Sequence, residues 1–175
     1  MKSIIICVCL LAISNLAAEE NKAKDYAKSL SNRLKEFHKE MGDKSIDVQK
    51  KALQDILPRK ADLKILFPKD ADMLWKKLEA HYKNLIKHID KVAAELTGRE
   101  WTKIRAIDVR ENDVSERYGE VLKLIPKNIP VFRVVKKSKK GSAGSSSYLF
   151  LDERWIHFQG LEVIPEIISQ KETKK

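Results

Sequence analysis

From Asp70 to Leu96 the apolar residues Leu74, Trp75, Leu78, Tyr82, Leu85, Ile86, Ile89, Val92, Ala93 and Leu96 recur at spacings dominated by three and four. At about 100° per residue they fall within an arc of roughly 120°, and Lys76, Lys83, Lys87 and Lys91 take the far side. The spacing predicts one long helix, about 40 Å at 1.5 Å per residue, with a single buried face. Asp70 or Asp72 suits its N-terminus, and Gly98 lies just past its end. The same period runs through Tyr26, Leu30, Leu34, Phe37 and Met41, predicting a helix within residues 19–41 that Gly42 ends. Ser45 is placed to cap another, carrying Val48, Leu53, Ile56 and Leu57 and stopped by Pro58. A further helical turn is expected over residues 62–67, ahead of Pro68.

Beyond Gly98 the period changes to two. Residues 101–110 read as a strand whose phase slips: Ile104 and Ala106 alternate, then Ile107 and Val109, so a bulge is expected near Arg105 and Ala106. Val114, Tyr118, Val121 and Leu122 suit a short helix, and Pro126 and Pro130 bracket a connection. Three strands are expected at 131–135, 147–151 and 155–158, with residues 136–146 as a loop and Asp152-Glu153-Arg154 as a tight turn. Residues 160–168 are apolar and should pack back on the sheet, leaving 170–175 as a frayed tail. Helices followed by an antiparallel meander make an α+β fold: N-terminal helices and one long amphipathic helix on a curved sheet of about four strands. No repeat or linker divides residues 19–169, which read as one domain.

A helical N-terminal half, a long helix, and a bulged meander ending in Asp152-Glu153-Arg154-Trp155-Ile156-His157-Phe158 together resemble the cystatin-like or nuclear-transport-factor-two-like superfamily of cone folds. The last hairpin of that group often carries an Asp-Gly-Arg-Trp-like turn, and here Glu153 replaces the glycine. Residues 57–67, the segment from Gly141 to Trp155, and Gly160-Leu161-Glu162 also resemble exported bacterial proteins of uncertain function. The resemblance implies a curved sheet wrapped around a helix. It supplies no reaction, because the superfamily holds isomerases, dehydratases and non-enzymatic binding domains.

The N-terminus adds a compartment. Lys2, the uncharged run Ile4 to Ile13, and Leu16-Ala17-Ala18 before Glu19-Glu20 read as a secretory signal peptide over residues 1–18. Its apolar run is shorter than the roughly 20 residues that span a bilayer, so no transmembrane segment is expected after processing. Both cysteines, Cys7 and Cys9, fall inside the leader, which excludes disulfides, thiolate catalysis and cysteine-ligated zinc from the processed chain. No Asn-x-Ser/Thr sequon occurs, and a disulfide-free exported domain fits a bacterial periplasm or exterior. The formal charge of +10, about +9 without Lys2, favours anionic surfaces. Nucleic acid is not the expected partner, because the lysine stripe lacks interleaved aromatics and export removes the usual targets.

Little of the chain announces chemistry. His81 and His88 stand two turns apart, about 10 Å along the axis, too far to share one metal. The lysine- and serine-rich run 136–147 lacks the Gly-Lys-Ser/Thr ending and the following helix of a phosphate loop. No Gly-x-Ser-x-Gly elbow is present. Simple alternation puts Trp155 and His157 on one strand face, with Tyr148 and Phe150 on the neighbour and Arg133 beyond. Arg133, Tyr148, Trp155 and His157 are therefore the candidate face for a small ligand, an envelope protein or a second copy, with plain packing the alternative. Asp108 would serve as a base if the bulge turned it inward. No cofactor, metal ligand set or catalytic constellation is expected. Three functions follow: a non-catalytic exported binding domain, a lysine-mediated binder of anionic polysaccharide, or an acid–base enzyme using His157 or Asp108.

Overall fold

Apolar residues at helical spacing build the N-terminal half of this computed structural model, which describes residues 2–98, 101–110, 115–138 and 143–172. Helix α1 (Lys2–Met41) buries Leu30, Leu34, Phe37 and Met41 along one stripe and ends at Gly42, whose N–H donates to the His38 carbonyl at 3.1 Å. It starts well before residue 19, since residues 3–18 contain no glycine or proline to stop it. Helix α2 (Ile46–Ile56) buries Ala52, Leu53 and Ile56. Ser45 precedes it without a side-chain capping bond, and the Gln49 amide instead ties the connection to the carbonyls of Met41 at 3.3 Å and Asp43 at 2.7 Å. Val48 stays exposed, outside the core the periodicity assigned it to. Helix α3 (Lys60–Leu66) is fixed at its start by the Asp62 carboxylate, which accepts the Arg59 N–H at 2.5 Å.

The long helix expected over residues 70–96 is two helices, α4 (Ala71–Lys87) and α5 (Ile89–Thr97). His88 joins them at φ −110° and ψ 40°, outside the helical range. No glycine or proline marks the break. Beyond the break Ile89 and Ala93 are buried, and α5 packs against α1 and α2. Helices α1 and α2 also touch the sheet, α1 against β1 and α2 against β4, so they share the position expected for a single rod.

The sheet is an open, curved antiparallel meander of strands β1 (Trp101–Asp108), β2 (Val131–Ser138), β3 (Ala143–Leu151) and β4 (Arg154–Phe158), in that order. Helix α6 (Ser115–Leu124) sits between β1 and β2 in the chain. A short 3₁₀ turn (Leu161–Val163) and α7 (Ile164–Glu172) follow β4. The register irregularity in β1 lies between Trp101 and Lys103, not near Arg105. From Lys103 onward pairing is unbroken, and apolar residues of both parities reflect a sheet covered on both faces. Much of the expected loop 136–146 is strand: Lys136 pairs with Gly144 and Lys137 with Ala143, while residues 139–142 lie outside the described residues. The helix α7 likewise takes up residues 170–172 of the expected tail.

Pairing parity sorts the sheet into two cores. Phe132, Val134, Tyr148 and Trp155 face α1, α2, α4 and α5 in one cluster. Val131, Leu149, Leu151, Ile156 and Phe158 point to the opposite face, under α3, α6, Leu161 and Ile164. Trp75 and Leu78 of α4 pack against both clusters. The tight turn after β3 places Asp152 and Glu153 at φ 48° and 58°, the left-handed pair of a two-residue hairpin. Arg154 then clamps this hairpin to the helices, donating to the carbonyls of Asp55 at 3.1 Å and Leu57 at 3.3 Å and pairing with the buried Asp62 carboxylate.

Candidate functional site

The four residues of the candidate face do not form one site. Cα pairing sets Tyr148 opposite His157 and Phe150 opposite Trp155, so these four share a face. Arg133 pairs with Ser147, one position out of phase with Tyr148, and therefore occupies the opposite face. Its guanidinium Nε donates to Ser145 Oγ at 2.8 Å. The alternation argument failed for Arg133 because it fixed the parity of one strand without the register between strands.

Trp155 is also separate from the other two. It is buried beneath α1, its Nε1–H donates to Ser29 Oγ at 3.1 Å, and its ring meets Tyr26, Phe132 and Phe150 at centroid distances of 6.2, 5.6 and 5.0 Å. That environment is a helix-to-sheet anchor. A surface groove of about 800 Å³ beside it runs between α1 and the β3–β4 hairpin, lined by residues of both charges, including Arg33, Glu40, Asp55 and Arg59. These four pair with each other, Arg33 with Glu40 at 2.8 Å and Arg59 with Asp55 at 3.7 Å.

Tyr148 and His157 do come together, in a more enclosed cavity of about 470 Å³ between the helices and the sheet. Their rings stack at 5.0 Å and 28°. Phe37 of α1, Leu53 of α2, Leu85 of α4, and Val92 and Leu96 of α5 supply an apolar wall. The cavity reaches the surface where β4 ends at Phe158 while β3 continues back to Ala143. Ser145 and Ser146, which have no partner on β4, line it there with His81, Glu95, Lys136 and Gln159. His81 Nε2 and Gln159 Oε1 approach to 3.3 Å across this mouth. From the other face of the sheet, Tyr118 and Ser147 also line it, sharing a buried hydrogen bond of 2.9 Å between Tyr118 Oη and Ser147 Oγ.

The electrostatics follow from enclosure. Burial, reinforced by the Lys136 ammonium, pushes His157 down to about 4, so its imidazole is neutral at pH 7. Burial lowers Lys136 and raises Tyr148, the latter offset in part by a hydrogen bond with the Ser146 side chain. Burial also raises Tyr82, whose hydroxyl has no hydrogen-bond partner among the described residues. Tyr82 stands between this cavity and an outer groove of about 390 Å³ lined by Pro58, Trp75 and Ile86.

Asp108 lies away from the cavity, at the end of β1. Its Oδ1 accepts the Arg110 N–H at 2.8 Å, and the Arg110 guanidinium donates to the carbonyls of Pro126 at 3.1 Å and Ile129 at 3.3 Å. Burial raises the Asp108 carboxyl. Sequence reasoning missed Tyr82 and Lys136. Tyr82 sits in the apolar arc of a helix like any core residue, and its hydroxyl was the one signal of another role. Lys136 was assigned to a loop, where a lysine carries no information about an interior. Among the described residues, no cluster of three or more His, Cys, Asp or Glu could hold a metal ion. No helix among them is long and apolar enough to cross a membrane. No protein-family model, curated protein or solved structure matches the chain.

Proposed function

We propose that this protein is an exported, non-catalytic binding domain of the cone type that holds a small ligand between its helical layer and its sheet. One observation carries the reading: an enclosed space of about 470 Å³, apolar on the helical side, contains a neutral histidine stacked on a tyrosine. Volumes of 300–1,000 Å³ with a few convergent polar groups are typical of ligand sites. Export rests on the leader-like pattern of residues 1–18.

Binding is favoured over acid–base catalysis for two reasons. An imidazole held near 4 is a weak base at neutral pH. Asp108, the other base considered, is turned toward the Arg110 backbone outside the cavity. The test uses N-phenyl-1-naphthylamine, an uncharged fluorophore. Its emission should rise saturably with one site per chain, and Leu85→Trp, which fills the cavity from α4, should abolish the rise while leaving the far-UV dichroism intact. A rise that survives the filled cavity would sink the reading.

A second reading has its own support. Lys76, Lys83, Lys87 and Lys91 are all exposed along α4 and α5, a stripe suited to anionic polymer such as surface polysaccharide. Retention on heparin should then fall steeply with salt, and retention indifferent to salt would refute it.

A further inference from the structure

The chemistry of the cavity's polar groups narrows what it can hold. Neither ring nitrogen of His157 has a hydrogen-bond partner among the described residues, although the ring lines the cavity. A neutral imidazole presents one N–H donor and one acceptor nitrogen. Tyr82, about 5% exposed, adds a second polar group without a partner on the opposite, helical wall. An unpartnered buried hydroxyl is costly, a cost that a ligand oxygen would relieve. Tyr148 and His157 stack on one another and form one side of the space, and Phe37, Leu53, Leu85 and Val92 close the other.

Formal charges in the lining are few and opposed. Glu95 and Glu162 stand against Lys136, and each of the three already holds an interaction within the chain. His81 at the mouth is engaged with Gln159. An incoming anion meets two carboxylates and an incoming cation meets the lysine, and either must also shed its water. A hydroxyl group does neither. It donates and accepts at once, the complement of a neutral imidazole.

We propose that the cavity takes an uncharged, ring-bearing ligand whose hydroxyl group exchanges hydrogen bonds with the His157 imidazole. The hydroxyl meets the edge of the imidazole, and the ligand's ring packs against the apolar helical wall. This rests on the binding-domain reading above, and it excludes carboxylates, phosphates and amines as the principal ligand.

Four probes of one shape test it at pH 7.5 by isothermal titration: toluene, p-cresol, 4-methylbenzoate and 4-methylbenzylamine. The phenol is neutral at that pH, as a tyrosine side chain is. It should bind about tenfold more tightly than toluene or either ion, the gain of one well-made hydrogen bond. His157→Phe should bring p-cresol down to the affinity of toluene while toluene binding persists. His157→Gln, whose amide keeps a donor and an acceptor, should retain most of the preference. An ion that binds as tightly as p-cresol, or a His157→Phe variant with the same p-cresol preference, overturns the ligand class and leaves the cavity reading standing. Saturable binding by none of the four overturns the cavity reading and this inference with it.

Discussion

At the scale of single residues, His157 has a measurable signature. Its folded-state value near 4 lies below the 6.5 of an exposed histidine, so between these pH values the unfolded chain binds a proton that the folded chain does not. Its contribution is complete above pH 6.5 and is lost as pH falls toward 4, by roughly 3 kcal/mol over that window. Asp108, raised by burial, acts in the opposite sense, which makes the comparison with a His157→Phe variant essential. Urea unfolding at pH 7 and pH 4.5 should show a marked drop for the natural protein and a much smaller drop for the variant. Arg154 and Asp62 supply the second case. The pair is largely buried and closes the hairpin against the start of α3. Arg154→Ala leaves the buried Asp62 charge without its cation and should cost about 3 kcal/mol, whereas Arg154→Met combined with Asp62→Asn, which keeps an acceptor for the Arg59 N–H, should recover most of it. Equal losses in the single and double variants would remove the clamp from the account. Arg154 was legible in the chain as part of a turn motif. Asp62 was not, since nothing local pairs residues that stand 92 positions apart.

At the scale of elements, most of the architecture could be read from periodicity. Helices α2, α3 and α6 and all four strands fall where spacing placed them, within a few residues. Apart from the early start of α1, which is local, the main misplaced details involve contact with something distant in sequence. Beyond the break at His88, α5 packs against α1 and α2, and the doubled apolar parity of β1 answers to a second covered face. The extension of β2 and β3 through residues 136–138 and 143–146 comes from their pairing with each other, which overrides the loop-like composition of that run. The candidate site was legible in part for the same reason: the one pair that adjacency of strands could reveal, Tyr148 with His157, does meet, while Arg133 required a register. Helix α6 offers a direct test of local propensity. A methyl group at Gly119 would meet nothing within 4 Å. Gly119→Ala should therefore stabilise the protein by about 0.5–1 kcal/mol, read as a higher midpoint in thermal unfolding. A lower midpoint would mean that α6 needs the glycine for something other than helicity.

At the scale of the whole molecule, helix α1 is anchored through its C-terminal half. Among the described side chains, Tyr26, whose ring meets Phe150 at 5.2 Å, and Leu30, Leu34, Phe37 and Met41 tie it to the fold. A chain beginning at Glu19 should accordingly unfold within a few degrees of the full-length protein in differential scanning calorimetry. A large loss on truncation would argue that residues 1–18 belong to the fold and are not a leader. The sheet, for its part, is a partition with an interior on each side. The Tyr148–His157 cavity takes its apolar wall from the α1–α5 side, but Tyr118, Ser147 and Glu162 of the other side also line it. Repacking one interior should therefore leave the other largely undisturbed, except along the sheet edge that the cavity straddles.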